Sequence, residues 1–400
     1  MAKSFNPRFA TPAVLDSLDR TLLCELLRPH TDSLATSGVN VADPASFDPR
    51  AFAELVMAGS GLPDGVVDLI CLIEELAAPR LYDRVLACAR DTGVPVDPDT
   101  TIHELVARVM IADRDALLDL RTEDFSRQRK RFDRYMTVLP KLPRQLSRTR
   151  ARIGELEKSL DDEFIRLHRQ RGRGVVRIHG TDEKHGFRLI IRRGDTRRNQ
   201  PVIDDRDETR SRPLLHRPEL YDIVRYDARH GDLLVMAKAK SEVRAYCHLI
   251  GLHLFNDRFA FDPALAPRRY SLDPIRDDGA ACLERGRIDG VLDLRLDVLG
   301  LVPAGHDGTP VTIGPGDVFG VIRALGGTLS RRASLPYAVL KIRLRGERDE
   351  RRVAIRPPIS ATYERDDASE IVEEVVERIG LLLPRSESLH GAPQTLFSMS

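Results

Sequence analysis

The residues best suited to chemistry lie between Asp222 and Lys240, where Asp222-Ile-Val-Arg-Tyr-Asp227 is followed by Asp232-Leu-Leu-Val-Met-Ala-Lys238-Ala-Lys240. A carboxylate on one strand and an acid-x-Lys triplet closing the next can hold a divalent metal and the water that attacks a phosphodiester. Here the two available triplets read Met-Ala-Lys and Lys-Ala-Lys. Both lack the second carboxylate, so such a site is short of one ligand and one negative charge, and efficient cleavage is not expected from it. Asp222, Lys238 and Lys240 are thus the candidates for a degenerate nuclease centre. That reading alone calls for magnesium or manganese; otherwise no cofactor and no metal are expected. An ordinary strand ending in solvated lysines fits the same residues.

A second kind of chemistry is phosphate recognition by arginine, whose planar fork pairs with two oxygens at once. Between residues 127 and 198 the chain holds 22 Lys or Arg against 9 Asp or Glu, whereas residues 1–126 hold 11 basic against 21 acidic side chains. The net charge of +1 therefore conceals two segments of opposite sign. Segregation of this kind attracts phosphates, acidic partners or a second copy of the chain. The candidate nucleic-acid contacts are Arg127, Arg129, Lys130 and Arg131, interleaved with Phe125, Phe132 and Tyr135. To these are added Arg148, Arg150 and Arg152, then Arg192, Arg193, Arg197 and Arg198, and finally Lys341, Arg343 and Arg345 with Arg352 and Arg356 beside them. Arg outnumbers Lys 54 to 8 along the whole chain. Compositional bias is therefore a competing source of these arginines, which would then form a solvated or partner-facing surface.

Other catalytic patterns are missing from the sequence. It contains no G-x-x-x-x-G-K-[ST], no H-E-x-x-H and no G-x-S-x-G. Gly314-Pro-Gly316 reads as a turn with Asp317 capping the helix that follows. His179, His185, His216, His230, His248 and His253 gather in the central region without ligand spacing and read as surface or packing residues. Cysteines at 24, 71, 88, 247 and 282 come no closer than 17 residues, which supports neither a zinc ribbon nor a disulfide framework.

The elements that would position these groups change character along the chain. Leucines and valines at helical spacing between Val14 and Met110, broken by Pro and Gly clusters, predict an all-helical domain over residues 1–122. A basic helical connector is expected over 123–172, including a long helix from about Pro143 to Gln170. From Val175 the period shortens, and strands at 175–178, 187–191, 222–226 and 232–237 followed by a helix from Ser241 predict a central α+β domain over 173–262. The polar stretch Gly194 to Arg212 reads as a long exposed loop. A second α+β domain is expected over 263–382, with a strand at Leu292–Val298, a hairpin around 337–356 and a closing helix near Ile371–Ile379; residues 383–400 read as a loose tail. The expected fold class is accordingly α+β multidomain: an all-α N-terminal domain, a long helix, and two small α+β domains.

The segments RPELYDIVRYD, YCHLIGLHLFND and RRVAIRPPISATYERDD resemble a group of large uncharacterised bacterial proteins, over most of the chain. The resemblance carries no activity and no residue roles. With no apolar span and no signal-peptide core, a cytoplasmic protein with no membrane partner is expected. The expected function is a non-catalytic component that binds DNA or RNA, or a scaffold with protein partners, in a bacterial multi-protein system such as phage defence. The alternatives are a metal-dependent nuclease with a degenerate core, since the order of elements around Asp222 and Lys238 resembles that in nucleases of the restriction-endonuclease-like fold, and a pure protein–protein assembly module, homo-oligomeric if the acidic and basic segments pair between copies.

Overall fold

In a computed structural model, which describes residues 8–384 apart from 59–61, 128–129, 139–148, 169–175, 184, 196–197, 205–206, 217–218, 266–267, 304–309, 325, 327–328 and 367, the chain divides into two compact units. One comprises Met1–Phe125 with Pro201–Pro213, the other Ser126–Gln200 with Leu214–Ser400.

The first unit carries α1 (Pro12–Asp16), α2 (Arg20–Leu27), α3 (Thr31–Thr36), α4 (Pro49–Ala58), α5 (Asp64–Leu76), α6 (Tyr82–Asp91), α7 (Ile102–Ala112) and α8 (Arg114–Arg127), the last running to its boundary. Side-chain caps fix several of the starts. Asp19 accepts from the Thr21 N–H at 2.6 Å and Thr101 accepts from the Glu104 N–H at 3.2 Å, each satisfying a donor that the helix leaves open. Leu15, Leu23, Ile70, Ile73, Val106 and Val109 are buried in one shared core, and α7 packs on α2, α5 and α6.

The second unit contains β1 (Arg131–Met136), α9 (Arg150–His168), β2 (Arg177–Glu183), β3 (Gly186–Gly194), β4 (Arg198–Asp204), β5 (Asp207–His216), β6 (Glu219–Asp227), β7 (Asp232–Met236) and α10 (Lys240–Phe255), with β4 and β5 straddling the boundary between units. It continues with α11 (Asp273–Asp277), α12 (Ala281–Glu284), β8 (Val291–Val302), β9 (Val311–Ile313), α13 (Val318–Ala324), β10 (Ser334–Leu344), β11 (Arg351–Arg356), β12 (Ser360–Thr362) and α14 (Ser369–Arg378).

Ten of these strands form one antiparallel sheet in the order β2-β3-β6-β7-β1-β12-β11-β10-β8-β9. This overturns the expectation of two small α+β domains after a helical connector. The cause is β1, a six-residue strand inside the stretch read as helical. Asp133 pairs with Val235 of β7 on one side and with Ser360 of β12 on the other, so the two expected sheets are one sheet. The stretch read as a polar loop, Gly194 to Arg212, contains β4 and the start of β5, which pair with each other in a separate two-stranded ladder.

Alternation decides which face each half buries. Leu189, Ile191, Val224, Tyr226, Leu233, Val235 and Tyr135 share a core with Leu156 and Leu160 of α9 and with Val243, Tyr246, Cys247 and Ile250 of α10. Phe132, one residue out of step with Asp133 and Tyr135, pairs with Ala361, which belongs to the other core together with Leu340, Ile342, Val353 and Ile355. Val372, Val375, Val376 and Ile379 of α14 close that second core. The helices therefore cover opposite faces in the two halves, and β1 lies at the crossover. Asp133→Pro removes a backbone donor from this strand; the urea midpoint should fall by an amount equal to roughly 1–3 kcal/mol, the cost of orphaned buried backbone groups. An unchanged midpoint by circular dichroism would contradict the placement of β1 between two strands.

Candidate functional site

At one end of β3 and β6, beside the start of α10, Arg193 and Asp222 are both buried. Arg193 Nε donates to Asp222 Oδ2 at 2.5 Å, and its Nη2 lies 2.8 Å from Glu242 Oε1. The Tyr246 hydroxyl donates to the same Asp222 oxygen at 2.6 Å, and the guanidinium stands 4.9 Å over the Phe164 ring. Glu242 also accepts the Ala239 N–H at 2.9 Å, which caps α10. Burial pushes the Asp222 carboxyl up, against the opposing pull of Arg193 and Tyr246. This carboxylate is an acceptor for a built-in cation, so its chemistry is that of an internal ion pair. Lys238 is exposed and reaches Asp195 at 3.3 Å; Lys240 is the exposed first residue of α10. Among the described residues no group of three or more His, Cys, Asp or Glu is arranged to hold a metal ion.

The basic residues singled out from the sequence are distributed over several elements. Arg129, Arg148 and Arg197 lie outside the described residues, as do the side chains of Arg127 and Arg198. Lys130 pairs with Glu364 at 2.5 Å, Arg192 with Glu219 at 3.2 Å, and Arg152 donates to the His253 carbonyl at 3.2 Å. Arg131 and Arg150 are exposed, whereas Arg193 is internal and cannot meet a ligand.

Lys341, Arg343 and Arg345 do share a strand, and the register brings more charge to them. Lys341 lies opposite Arg352 of β11 and opposite Arg295 of β8, so one cross-strand row presents three cations about 10 Å from end to end. Arg356, 5.9 Å over the Tyr337 ring, lies on the same face. The protein's own acids answer part of this charge: Arg295 and Arg343 share Glu350 at 2.8 and 3.2 Å, Lys341 meets Asp297 at 3.3 Å, and Arg345 meets Asp289 at 3.2 Å. Arg352 is exposed and has no ion pair among the described residues.

The densest charge in the unit was not visible in the sequence. Arg134, in the middle of β1 and 1% exposed, donates to Asp232 at 2.9 Å and to Glu373 of α14 at 3.0 Å. Arg269 donates to the same Asp232 oxygen at 2.9 Å. Glu373 also accepts from Arg229 at 2.7 Å, Arg365 at 2.7 Å and the Tyr363 hydroxyl at 2.8 Å, with Arg225 at 3.6 Å. Asp227 meets Arg229 at 3.1 Å and the His230 ring at 2.9 Å. Burial raises the Glu373 carboxyl, but Arg134, Arg365 and Arg225 outweigh it and leave the pKa at about 2. Asp227 is likewise driven far below the usual carboxylate range, because the bonds from His230 and Arg229 exceed the burial penalty. No single signal marks these residues in sequence: Arg365 between Glu364 and Asp366, Arg269 after Arg268 and Glu373 before Glu374 read as ordinary surface charge, and only the pairing of β1 with β7 and β12 assembles them.

No protein-family model matches the chain, and no curated protein sequence matches it. No described helix is long and apolar enough to cross a membrane.

The network ties stability to pH with a definite sign. A carboxyl held below its unfolded value stabilises the fold fully above that value, near 4.5 for Glu373, and loses the contribution as pH falls toward about 2. Glu373→Gln should therefore flatten the loss of stability between pH 4.5 and 2 while lowering stability at pH 7 by about 3–5 kcal/mol, since it strands buried guanidinium groups. Denaturant melts at several pH values check both parts; an unaltered acid limb would show that Glu373 is not a governing group.

Proposed function

We propose that this chain is a non-catalytic nucleic-acid-binding protein that meets its ligand through the polar face of the C-terminal half of the sheet. The observation that carries this reading is the row Arg295–Lys341–Arg352, extended by Arg343 and Arg356 on the same face. Antiparallel pairing fixes these side chains in a flat array, and a flat array of guanidinium groups can follow a phosphate backbone. Glu350 serves two arginines at once and Arg352 has no ion pair among the described residues, so a net positive charge is left for a polyanion. Tyr337 is the one aromatic ring in the array, half-buried and close to Arg356. Stacking is therefore slight, and binding is electrostatic and tolerant of sequence.

The second candidate centre supports a structural role. Asp222 is held by Arg193 and Tyr246 inside the protein, which is the environment of a carboxylate that orders a core. Asp222→Asn should weaken the fold and leave nucleic-acid affinity unchanged.

Fluorescence anisotropy with a labelled single-stranded oligonucleotide tests the proposal. Affinity should fall by about 7–20-fold between 50 and 200 mM salt, the loss that follows from two or three phosphate contacts on a single strand. The double variant Arg352→Glu, Arg356→Glu should abolish binding at 50 mM. Binding that persists in that variant, or none by the wild type at low salt, would remove this face from consideration.

A further inference from the structure

On the polar face, about 13 Å along the strands from the Arg295–Lys341–Arg352 row, four neighbouring strands position a single aromatic ring. Tyr337 of β10 pairs with Gly300 of β8, and Gly300 with Thr312 of β9. Arg356 of β11, next in register after the Ile355–Ala338 pair, flanks Tyr337 on the other side. The hydroxyls of Tyr337 and Thr312 are hydrogen-bonded at 2.6 Å. These residues stand two strands apart, a span of about 10 Å, so the ring reaches Thr312 only by lying along the sheet. It lies over Gly300, where an added Cβ would collide with Cε1 and Cδ1 of the ring.

The glycine thus gives the ring a floor, and Thr312 holds its far end. Over the ring stands Arg356, an exposed side chain whose guanidinium is 5.9 Å from the ring centre. The same two groups close to contact elsewhere in this unit, where the Arg365 guanidinium lies 3.6 Å from the Tyr363 ring centre. A planar group stacked on both partners needs about 7 Å between them, two van der Waals separations. The gap at Tyr337 is too wide for a closed stack and about 1 Å short of a filled one, which an exposed arginine supplies by rotating about its own bonds. A nucleobase is the planar group that a nucleic acid brings to such a gap, because base faces stack on aromatic rings and on guanidinium planes alike. In a duplex those faces are covered by the neighbouring base pairs; in a single strand they are open.

We propose that Tyr337 and Arg356 clamp one nucleobase between them, so that this face selects single-stranded over double-stranded nucleic acid. The clamp rests on the reading of the face as a nucleic-acid site and adds a choice of strand state that a row of cations does not make. Tolerance of sequence is kept, since every base has a π-face. Anisotropy at 50 mM salt with one labelled sequence, first as a single strand and then annealed to its complement, tests it on the full chain. The wild type should favour the single strand. Tyr337→Leu should weaken single-strand binding by about 5-fold or more, the lower end of what one stacked base contributes, and leave duplex binding unchanged because no charge is altered. Tyr337→Phe keeps the ring and loses only the bond to Thr312, so it should retain most of the preference. A strand carrying 5-iodouracil, which photo-crosslinks to a stacked aromatic ring, should attach to Tyr337 of the wild type, a readout that does not depend on how the variants fold. Preference for the duplex, equal losses on the two strand states, or crosslinks confined to other residues would overturn the clamp and leave the cationic row standing. Failure of the wild type to bind either form would remove the face and the clamp together.

Discussion

A guanidinium in the centre of a sheet must meet carboxylates, or the strand that carries it cannot stay buried. Arg134 is in that position. It lies on β1, its neighbours are the starts of β7 and β12, and its two acidic partners come from opposite parts of the sheet: Asp232 opens β7 and Glu373 lies on α14. The backbone of the same residue donates to the Ile359 carbonyl at 2.9 Å. One residue thus ties together a half covered by α9 and α10 and a half covered, on the other face, by α14. The desolvation of so many charges is large, and it is offset only because every carboxylate in the cluster serves several donors. The gain is specificity of register, since a shift of β1 by one residue would turn Arg134 into the apolar core of α9 and α10 and leave Glu373 surrounded by cations.

Much of the architecture was legible where one periodicity dominates. Val243, Tyr246, Cys247, Ile250 and Leu254 mark the buried face of α10, and Val372, Val375, Val376 and Ile379 that of α14. In the C-terminal hairpin Leu340, Ile342 and Leu344 alternate with Lys341, Arg343 and Arg345, and the structure buries the first set and turns the second outward or half outward. Strand β1 was not legible. Arg131-Phe-Asp-Arg-Tyr-Met136 buries residues on both faces and carries a charge at its centre, so neither a period of two nor one of 3.6 stands out. Mistaking it for helix split one sheet into two domains. The reading of Gly194–Arg212 as loop failed for a related reason, because polar residues that pair mainly with each other leave no apolar alternation to follow.

The candidate sites show the same division. Composition located positive charge but could not say how much of it the fold consumes. Arg193 is spent on Asp222 and Glu242, Lys130 on Glu364 and Arg192 on Glu219. The hairpin over 337–356 already placed Arg352 on the face of Lys341; what the sequence could not reveal is that Arg295 flanks Lys341 on its other side, because β8 and β10 are far apart in the chain and neighbours only in space. Asp222 lies on β6 and Lys238 just past the end of β7, and the cation that Asp222 meets is the side chain of Arg193 on the adjacent strand.

The dependence of the sheet on Arg134 is tested most directly by native-state hydrogen exchange. Amides of β1, β7, β11 and β12 should open in one cooperative event with a common free energy, and Arg134→Met should lower that value for all four strands together. Separate opening of β6–β7 and of β10–β12, with β1 following only one of them and the Arg134→Met effect confined to that side, would contradict the account.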